Sequence, residues 1–347
     1  MLYRTLGKTG LQASAVGLGT WNIGNQWGHV SEEQAISTIR SAIDHGINLI
    51  DTAESYGMPA GLSEERLGNA LAGLRDRVHI VSKIGRWGRR SGQMVPMTTT
   101  DMVRLCVHAS LYRLKTDYVD VMLCHEGKLA EPSLADTYLD GFELLKQQGL
   151  IRTYGISTDR LEVLELFNRR GTCQVVEVDY SLLNRNPDKE FFPYCQEHDI
   201  AVLVRGPLHK GLLSGKYSSK TVFTDTVRSE WYKSDRAKQK LARKLQKVEQ
   251  LKIALSVGEN IARESITSES IARGNTARES TASENMAASA IQFVTSHPIA
   301  PVAIVGAKSS MQSISNANAG GHLLSTEERE SLIQSTKLKE AVPAIAS

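Results

Sequence analysis

Short apolar runs rich in β-branched residues recur along the whole chain and alternate with amphipathic stretches of helical period. Eight such runs occur, at residues 15–20, 47–52, 78–83, 118–125, 153–157, 175–181, 201–206 and 302–307. Strands that alternate with helices form parallel sheets, because each parallel pair needs a crossover connection. Eight βα units in 347 residues fit a closed (β/α)₈ barrel better than an open doubly wound sheet. The pattern therefore predicts one α/β barrel domain over residues 1–347.

Two segments fall outside this eightfold pattern. Residues 1–15 contain the turn sequence GKTG and predict a β-hairpin that closes the bottom of the barrel. Residues 260–284 are rich in Ser, Thr, Ala, Arg and Glu and repeat the sequence ARES at Ala262 and Ala277. This composition predicts a low-complexity insertion in a surface connection before the last helix and strand. An arm that binds a partner is the functional alternative.

Composition and charge argue against several classes of function. The formal net charge is +3, and Lys and Arg are scattered among Asp and Glu, so neither nucleic acid nor a membrane surface is an expected partner. The cysteines form no CxxC pair and have no His at metal-ligand spacing, which predicts buried thiols and no metal. The sequence contains no signal-peptide-like start and no apolar window of transmembrane length. A cytoplasmic location is expected.

Ionisable residues close three neighbouring strands of the predicted barrel. Asp51 ends the second strand, Lys83 the third and His125 the fourth, and Tyr56 lies in the loop after Asp51. Because the active sites of (β/α)₈ barrels lie at the C-terminal ends of the strands, these side chains are expected to converge there. A Lys and an Asp in a desolvated cleft would pair, and the Lys would lower the pKa of a neighbouring phenol. The set predicts a catalytic group.

The order of these four residues resembles the catalytic tetrad of the aldo-keto reductase superfamily. The segments GINLIDTAESYG, IVSK and DYVDVMLCHE are similar to the family segments that carry its Asp, Tyr, Lys and His. The resemblance covers nearly the whole chain apart from residues 260–284. It implies an NADPH-dependent reductase of the bacterial type, in which Tyr56 donates a proton to a small aldehyde or ketone while Asp51 and Lys83 tune it and His125 orients the carbonyl oxygen. The expected assembly is a monomer or a weak homo-oligomer.

Further segments resemble the cofactor-binding parts of the same family. GISTD is similar to the segment that holds the nicotinamide carboxamide, with Thr158 in place of the usual Asn, and VVEVDYS has Glu177 in place of Gln. RGPLHKGLLSGKY resembles the loop over the pyrophosphate, with Arg205 where an aromatic ring often stacks. VGAKSSMQSISN resembles the segment that binds the 2′-phosphate, which favours NADPH over NADH. The residues implied to contact the cofactor are Gly19, Thr20, Trp21, Asp51, Ser157, Thr158, Glu177, Arg205, Gly206, Pro207, Leu208, Gly211, Gly306, Lys308, Ser309, Gln312 and Asn316.

The motifs do not specify the substrate. The pocket walls are expected from residues 21–27, Trp87, the EGKLAEP loop and the region near Trp231, which suit an aldehyde or ketone of modest size. Glu54 is expected to have a helix or loop role. One alternative function is an NADPH-binding regulatory module like the β-subunits of potassium channels. Another is an aldolase that forms a Schiff base on Lys83, which the neighbouring Tyr, Asp and His disfavour.

Overall fold

A closed barrel of eight parallel strands forms the centre of the structure, a computed structural model that describes residues 1–87, 96–265 and 282–337. The barrel strands are β3 (Val16–Gly19), β4 (Leu49–Asp51), β5 (His79–Ile84), β6 (Val119–Cys124), β7 (Ile151–Ser157), β8 (Val175–Asp179), β9 (Ala201–Arg205) and β10 (Val302–Gly306). Each strand pairs with the next one in the chain, and β10 returns to β3. The predicted (β/α)₈ barrel is confirmed.

Helices surround the barrel and connect its strands. They are α1 (Glu32–Asp44), α2 (Leu62–Ala70), α3 (Thr100–Leu114), α4 (Pro132–Gln147), α5 (Leu161–Phe167), α6 (Phe191–Glu197), α7 (Asp235–Ser265), α8 (Ala282–Thr295), α9 (Ser310–Ala319) and α10 (Thr326–Ser335). Helix α1 begins where the Ser31 side chain accepts the backbone N–H of Gln34 at 3.2 Å. It ends before Gly46, whose φ of +88° is a left-handed conformation that glycine adopts without steric cost.

The segment predicted as an insertion, residues 260–284, overlaps the end of α7 and the start of α8. Residues 260–265 belong to α7 and residues 282–284 to α8. The rest of the insertion, residues 266–281, lies outside the described residues. The buried side chains that fix the two helices flank this segment: they are Leu241, Val248 and Leu251 in α7 and Met286, Ala290 and Ile291 in α8.

A two-stranded hairpin closes the bottom of the barrel, as predicted. Strands β1 (Tyr3–Thr5) and β2 (Gln12–Ser14) pair antiparallel. Leu6 and Ala13 from this hairpin pack in the same apolar cluster as the inward-facing barrel residues. The Arg4 guanidinium fixes the hairpin to the chain before β10, because it donates to the carbonyl oxygens of Thr295 at 3.2 Å and Pro301 at 2.7 Å.

A buried carboxylate at the N-terminal end of β6 ties several strands together. Asp120 forms ion pairs with Arg75 at 2.9 Å and Arg152 at 3.1 Å, and its Oδ1 lies 3.4 Å from His79 Nδ1. Burial opposes the charge of Asp120, but the hydrogen bond from His79 and the charge of Arg75 outweigh it, so its pKa is lowered. This charge cluster lies at the end of the barrel opposite the candidate tetrad, where polar residues of (β/α)₈ barrels have a structural and not a catalytic role.

The described residues contain no helix that is long and apolar enough to cross a membrane. Within the same residues, no group of three or more His, Cys, Asp or Glu side chains could hold a metal ion. The cysteines are free and buried, as the sequence predicts, at Cys106, Cys124, Cys173 and Cys195.

Candidate active site

The alternation of side chains along the barrel strands brings three ionisable groups to one end of the barrel. On β4, Leu49 packs inside the barrel and Ile50 packs outside against the helices, so Asp51 faces inward again. The same alternation turns Lys83 inward on β5 and Glu177 inward on β8. All three therefore meet at the C-terminal mouth, where a (β/α)₈ barrel places its chemistry.

Lys83 is the centre of this cluster and is fully buried. Its Nζ donates to the carboxylate of Asp51, to the carbonyl oxygen of Thr52 at 3.0 Å and to the phenol oxygen of Tyr56 at 3.3 Å. The carboxylate of Glu177 lies 3.1 Å from the same nitrogen. Burial opposes the positive charge, but the two carboxylates outweigh it and raise the pKa of Lys83. The lysine is therefore a permanent cation at neutral pH.

The phenol of Tyr56 remains protonated in this environment. Burial raises its pKa, and this effect is larger than the lowering caused by the neighbouring Lys83 charge. The sequence predicts that Lys83 lowers the pKa of Tyr56, and its charge does act in that direction. The net shift is nevertheless upward, because burial outweighs the effect of Lys83. Asp51 also has a pKa well above its ordinary value, first because it is buried and second because Glu177 lies close to it.

Aromatic rings hold the phenol of Tyr56 in the cleft wall. Its ring stacks on Trp21, with centroids 5.7 Å apart and an interplanar angle of 19°. The ring of His125 approaches Tyr56 edge-on at 6.1 Å. Trp27 packs edge-on against Trp21 at 5.0 Å. The predicted set of Asp51, Tyr56, Lys83 and His125 is therefore brought together at one end of the barrel.

A cleft of about 1940 Å³ opens above this group. Nearly all the residues that the family resemblance assigns to the cofactor line it: Gly19, Trp21, Asp51, Ser157, Thr158, Glu177, Arg205, Gly206, Pro207, Leu208, Gly211, Gly306, Lys308, Gln312 and Asn316. Thr20 and Ser309 are not among its described lining residues. Thr20 is fully buried beside the cleft, and the side chain of Ser309 caps α9 by accepting the N–H of Gln312 at 3.4 Å.

Three cofactor candidates make contacts that the sequence did not indicate. The carboxylate of Glu177 faces Lys83. The hydroxyl of Thr158 donates to the Gly127 carbonyl at 3.0 Å. The guanidinium of Arg205, expected to stack on a nicotinamide, forms an ion pair with Asp159.

The loop that carries Gln26 and Trp27 meets the loop that carries Thr226 and Arg228 across the cleft. The sequence did not predict this contact. The hydroxyl of Thr226 donates to the backbone carbonyl of Gln26 at 2.9 Å. The guanidinium of Arg228 lies over the Trp27 ring at 5.6 Å. The ammonium of Lys308 donates to the Trp27 carbonyl. The region near Trp231 lines the cleft as expected, through Arg228, Glu230 and Lys233, while the Trp231 ring itself packs edge-on against Phe223.

Glu54 organises the loop that follows β5. Its Oε1 accepts the backbone N–H groups of Gly85 at 2.6 Å, Arg86 at 2.9 Å and Trp87 at 2.9 Å. Burial raises the pKa of this carboxyl to about 7, against the opposing effect of these hydrogen bonds. Arg86 and Trp87 line the cleft, so Glu54 shapes the cleft wall through the loop. The expected loop role of Glu54 is confirmed.

Comparisons with known proteins agree with this geometry. The model of the aldo/keto reductase family matches residues 15–336. The chain is 36% identical over 217 residues to the uncharacterized oxidoreductase YqkF of Bacillus subtilis, covering 62% of this chain and 68% of that protein. It is 34% identical over 227 residues to the aldo-keto reductase YhdN of the same organism, covering 64% and 67%.

Solved structures give the same assignment. The aldo-keto reductase AKR11C1 from Bacillus halodurans in its holo form is 28% identical, with a TM-score of 0.73 and 99% of each chain covered. An aldo/keto reductase from Klebsiella pneumoniae in complex with NADP and acetate is 26% identical, with a TM-score of 0.67 and coverage of 96% and 95%. The chain belongs to the aldo/keto reductase family. It is an oxidoreductase of that class.

Proposed function

We propose that the protein reduces an aldehyde or ketone to an alcohol, with NADPH as the source of hydride and Tyr56 as the proton donor. The observation that carries this proposal is the contact of 3.3 Å between the Tyr56 phenol and the Lys83 ammonium at the barrel mouth. A protonated phenol beside a permanent cation is a suitable acid for an oxygen that gains negative charge.

The residues of the cleft fit NADPH. Gly206, Pro207 and Leu208 line the cleft directly after β9, and Lys308 lines it shortly before α9 begins. A cation beside a helix N-terminus suits a phosphate group, and it supports NADPH over NADH. Related structures from Klebsiella pneumoniae are described in complex with NADP and with NADPH. When bound, NADPH supplies the hydride.

Each tetrad residue has a distinct task in this proposal. Tyr56 donates its proton to the developing alkoxide oxygen of the substrate. Lys83 stabilises the phenolate that this transfer leaves, and Asp51 holds Lys83 in place. His125, edge-on to the phenol ring, orients the carbonyl oxygen from the neighbouring strand end.

Aromatic side chains in the cleft support a small carbonyl substrate. Trp21, Trp27 and Trp87 line the cleft together with Tyr56 and His125. Flat apolar walls with a few convergent polar groups bind a compact organic molecule and orient its polar end.

The test is a fluorescence titration with NADPH, followed by turnover of a panel of aldehydes and ketones. Binding with turnover supports the proposal, and binding without turnover of any carbonyl would favour a regulatory module. An aldolase that uses Lys83 is disfavoured, since a Schiff-base lysine must lose its proton and the Asp51 and Glu177 carboxylates keep Lys83 charged. Borohydride trapping of a substrate on Lys83 would contradict the reductase.

A further inference from the structure

Lys83 has more acceptors around it than protons to give. A lysine ammonium carries three N–H donors. Asp51, the Thr52 carbonyl and the Tyr56 phenol each accept one. The Glu177 carboxylate is a fourth acceptor at 3.1 Å, within ion-pair distance of the same nitrogen.

Glu177 is arranged to act on Lys83. Its side chain is buried on the inner face of β8. Neither carboxylate oxygen accepts a hydrogen bond of regular geometry from the described residues. It forms an ion pair with Lys83 at 3.1 Å and also lies close to Asp51, whose pKa it raises. A carboxylate at this distance offsets part of the positive charge of Lys83, and that positive charge is what would stabilise a Tyr56 phenolate.

We propose that Glu177 is a positioning residue that competes with the Tyr56 phenolate for Lys83, which keeps Tyr56 in its protonated, proton-donating form. The role of Glu177 in the protonation of Tyr56 does not depend on the reaction, but its effect on catalysis rests on the proposed reductase function. In that setting Glu177 favours carbonyl reduction, which needs the phenol, over alcohol oxidation, which needs the phenolate.

The ionisable groups facing Tyr56 come from five elements of the barrel mouth, and Asp51 and Glu177 raise the pKa of the phenol while Lys83 lowers it. Asp51 ends β4, Lys83 lies on β5, His125 follows β6, Glu177 lies on β8 and Arg205 ends β9. Arg205 stays charged throughout the accessible pH range. Replacing Glu177 alone by glutamine removes one negative charge and keeps the shape of the side chain.

The direct test is a titration of the cofactor-free protein that follows phenolate absorbance in the near ultraviolet. The Tyr56 step is isolated by subtracting the curve of Tyr56→Phe from that of the wild type. The same subtraction is made between Glu177→Gln and the Glu177→Gln/Tyr56→Phe double variant. We expect the step in Glu177→Gln to lie roughly 1 pH unit or more below that of the wild type.

The control is Glu54→Gln, which also removes a buried carboxylate near the barrel mouth but not one that contacts Lys83. Its Tyr56 step should stay at the wild-type pH. Circular dichroism confirms that each variant is folded over the pH range compared. The proposal is overturned if Glu177→Gln and the wild type titrate together, or if Tyr56 in Glu177→Gln shows no step before the protein unfolds.

Kinetics give a second readout if the protein turns over a carbonyl. The alkaline fall of kcat/KM for reduction should move to lower pH in Glu177→Gln by the same amount as the absorbance step. At a fixed pH on that limb, the variant should be about tenfold slower than the wild type if the fall begins one pH unit earlier. A protein without turnover would count against the reductase, while the absorbance titration would still decide the role of Glu177.

Discussion

The Lys83 ammonium lies 3.3 Å from the Tyr56 phenol oxygen and also contacts the carboxylate of Asp51. The acid of the proposed reaction and the charge that stabilises its conjugate base are thus held in direct contact before any substrate arrives. Such preorganisation lowers the cost of moving charge in a buried site, because no dipoles or ions have to rearrange during the step.

Tyr56→Phe should abolish carbonyl reduction and leave NADPH affinity nearly unchanged. The substitution removes the proton donor but keeps the ring that stacks on Trp21. Loss of a general acid costs about 10²-fold to 10⁴-fold in rate. The measurement is kcat with the best carbonyl of the panel, beside a fluorescence titration with NADPH. Turnover at the wild-type rate would remove Tyr56 from its role.

Lys308→Met should weaken NADPH binding and leave NADH binding unchanged. The expected loss is about 10-fold to 100-fold, the range for one charge-assisted hydrogen bond to a phosphate. Because Lys308 also donates to the Trp27 carbonyl, Thr226→Val serves as a control for contacts that join the two loops. Equal weakening for both dinucleotides in Lys308→Met would mean that Lys308 acts on the loop and not on a phosphate.

Glu54→Gln should change how stability depends on pH. The folded protein holds the pKa of Glu54 at about 7, above that of an unfolded glutamate, so folding binds a proton between these values. The wild type therefore loses stability as pH rises from about 4.5 to 7, by up to about 3 kcal/mol for this group. The measurement is the free energy of unfolding in urea at pH 4.5 and at pH 7. The stability of the variant relative to the wild type should be higher at pH 7 than at pH 4.5. A constant difference between the two proteins would contradict the assignment.

Asp120→Asn should destabilise the protein by about 3 kcal/mol at neutral pH, because it leaves the Arg75 guanidinium without its buried counterion. The folded pKa of Asp120 is lowered, so its contribution is present above its unfolded pKa and is lost as pH falls through the folded one. The wild type and the variant should therefore converge in acid. Urea unfolding across pH measures this, and turnover at neutral pH should be unchanged because Asp120 lies at the opposite end of the barrel.

Deleting residues 260–284 should leave folding and NADPH binding intact. The deletion joins Glu259 to Asn285, and the buried anchors Leu251 and Met286 remain on either side of the junction. The melting temperature and an NADPH titration of the shortened chain give the answer. Failure to fold would show that the segment is part of the fold and is not an insertion.

Much of the barrel and its tetrad could be predicted from the sequence because both depend on local pattern. Asp51 and Lys83 sit on strands whose inward and outward positions alternate, and parallel strands bring their C-terminal ends to one place. The same alternation, counted from Val175, places Glu177 inward as well. Its resemblance to a cofactor contact does not indicate Lys83 as its partner, because the two residues lie on strands that are distant in the sequence.

Other contacts had no local signal. Thr226 and Gln26 are 200 positions apart, and their hydrogen bond depends on how two long loops cross the cleft. The resemblance of the segment after β9 to the family implies that Arg205 stacks on the nicotinamide. Its pairing with Asp159 depends on the loop after β7, which the sequence of β9 does not contain. Side-chain pairing between distant loops requires the three-dimensional arrangement.

The hairpin at the bottom of the barrel also affects how the chain can fold during synthesis. Arg4 donates a hydrogen bond to the carbonyl of Pro301, 297 positions later and directly before the last barrel strand, so the first strands to leave the ribosome must wait for nearly the whole barrel. Until then, Leu6 and its apolar neighbours have no barrel interior to enter. Contacts of such long sequence separation slow folding and leave apolar surface exposed on partly made chains. The nascent protein should therefore depend on chaperones more than its finished structure would suggest.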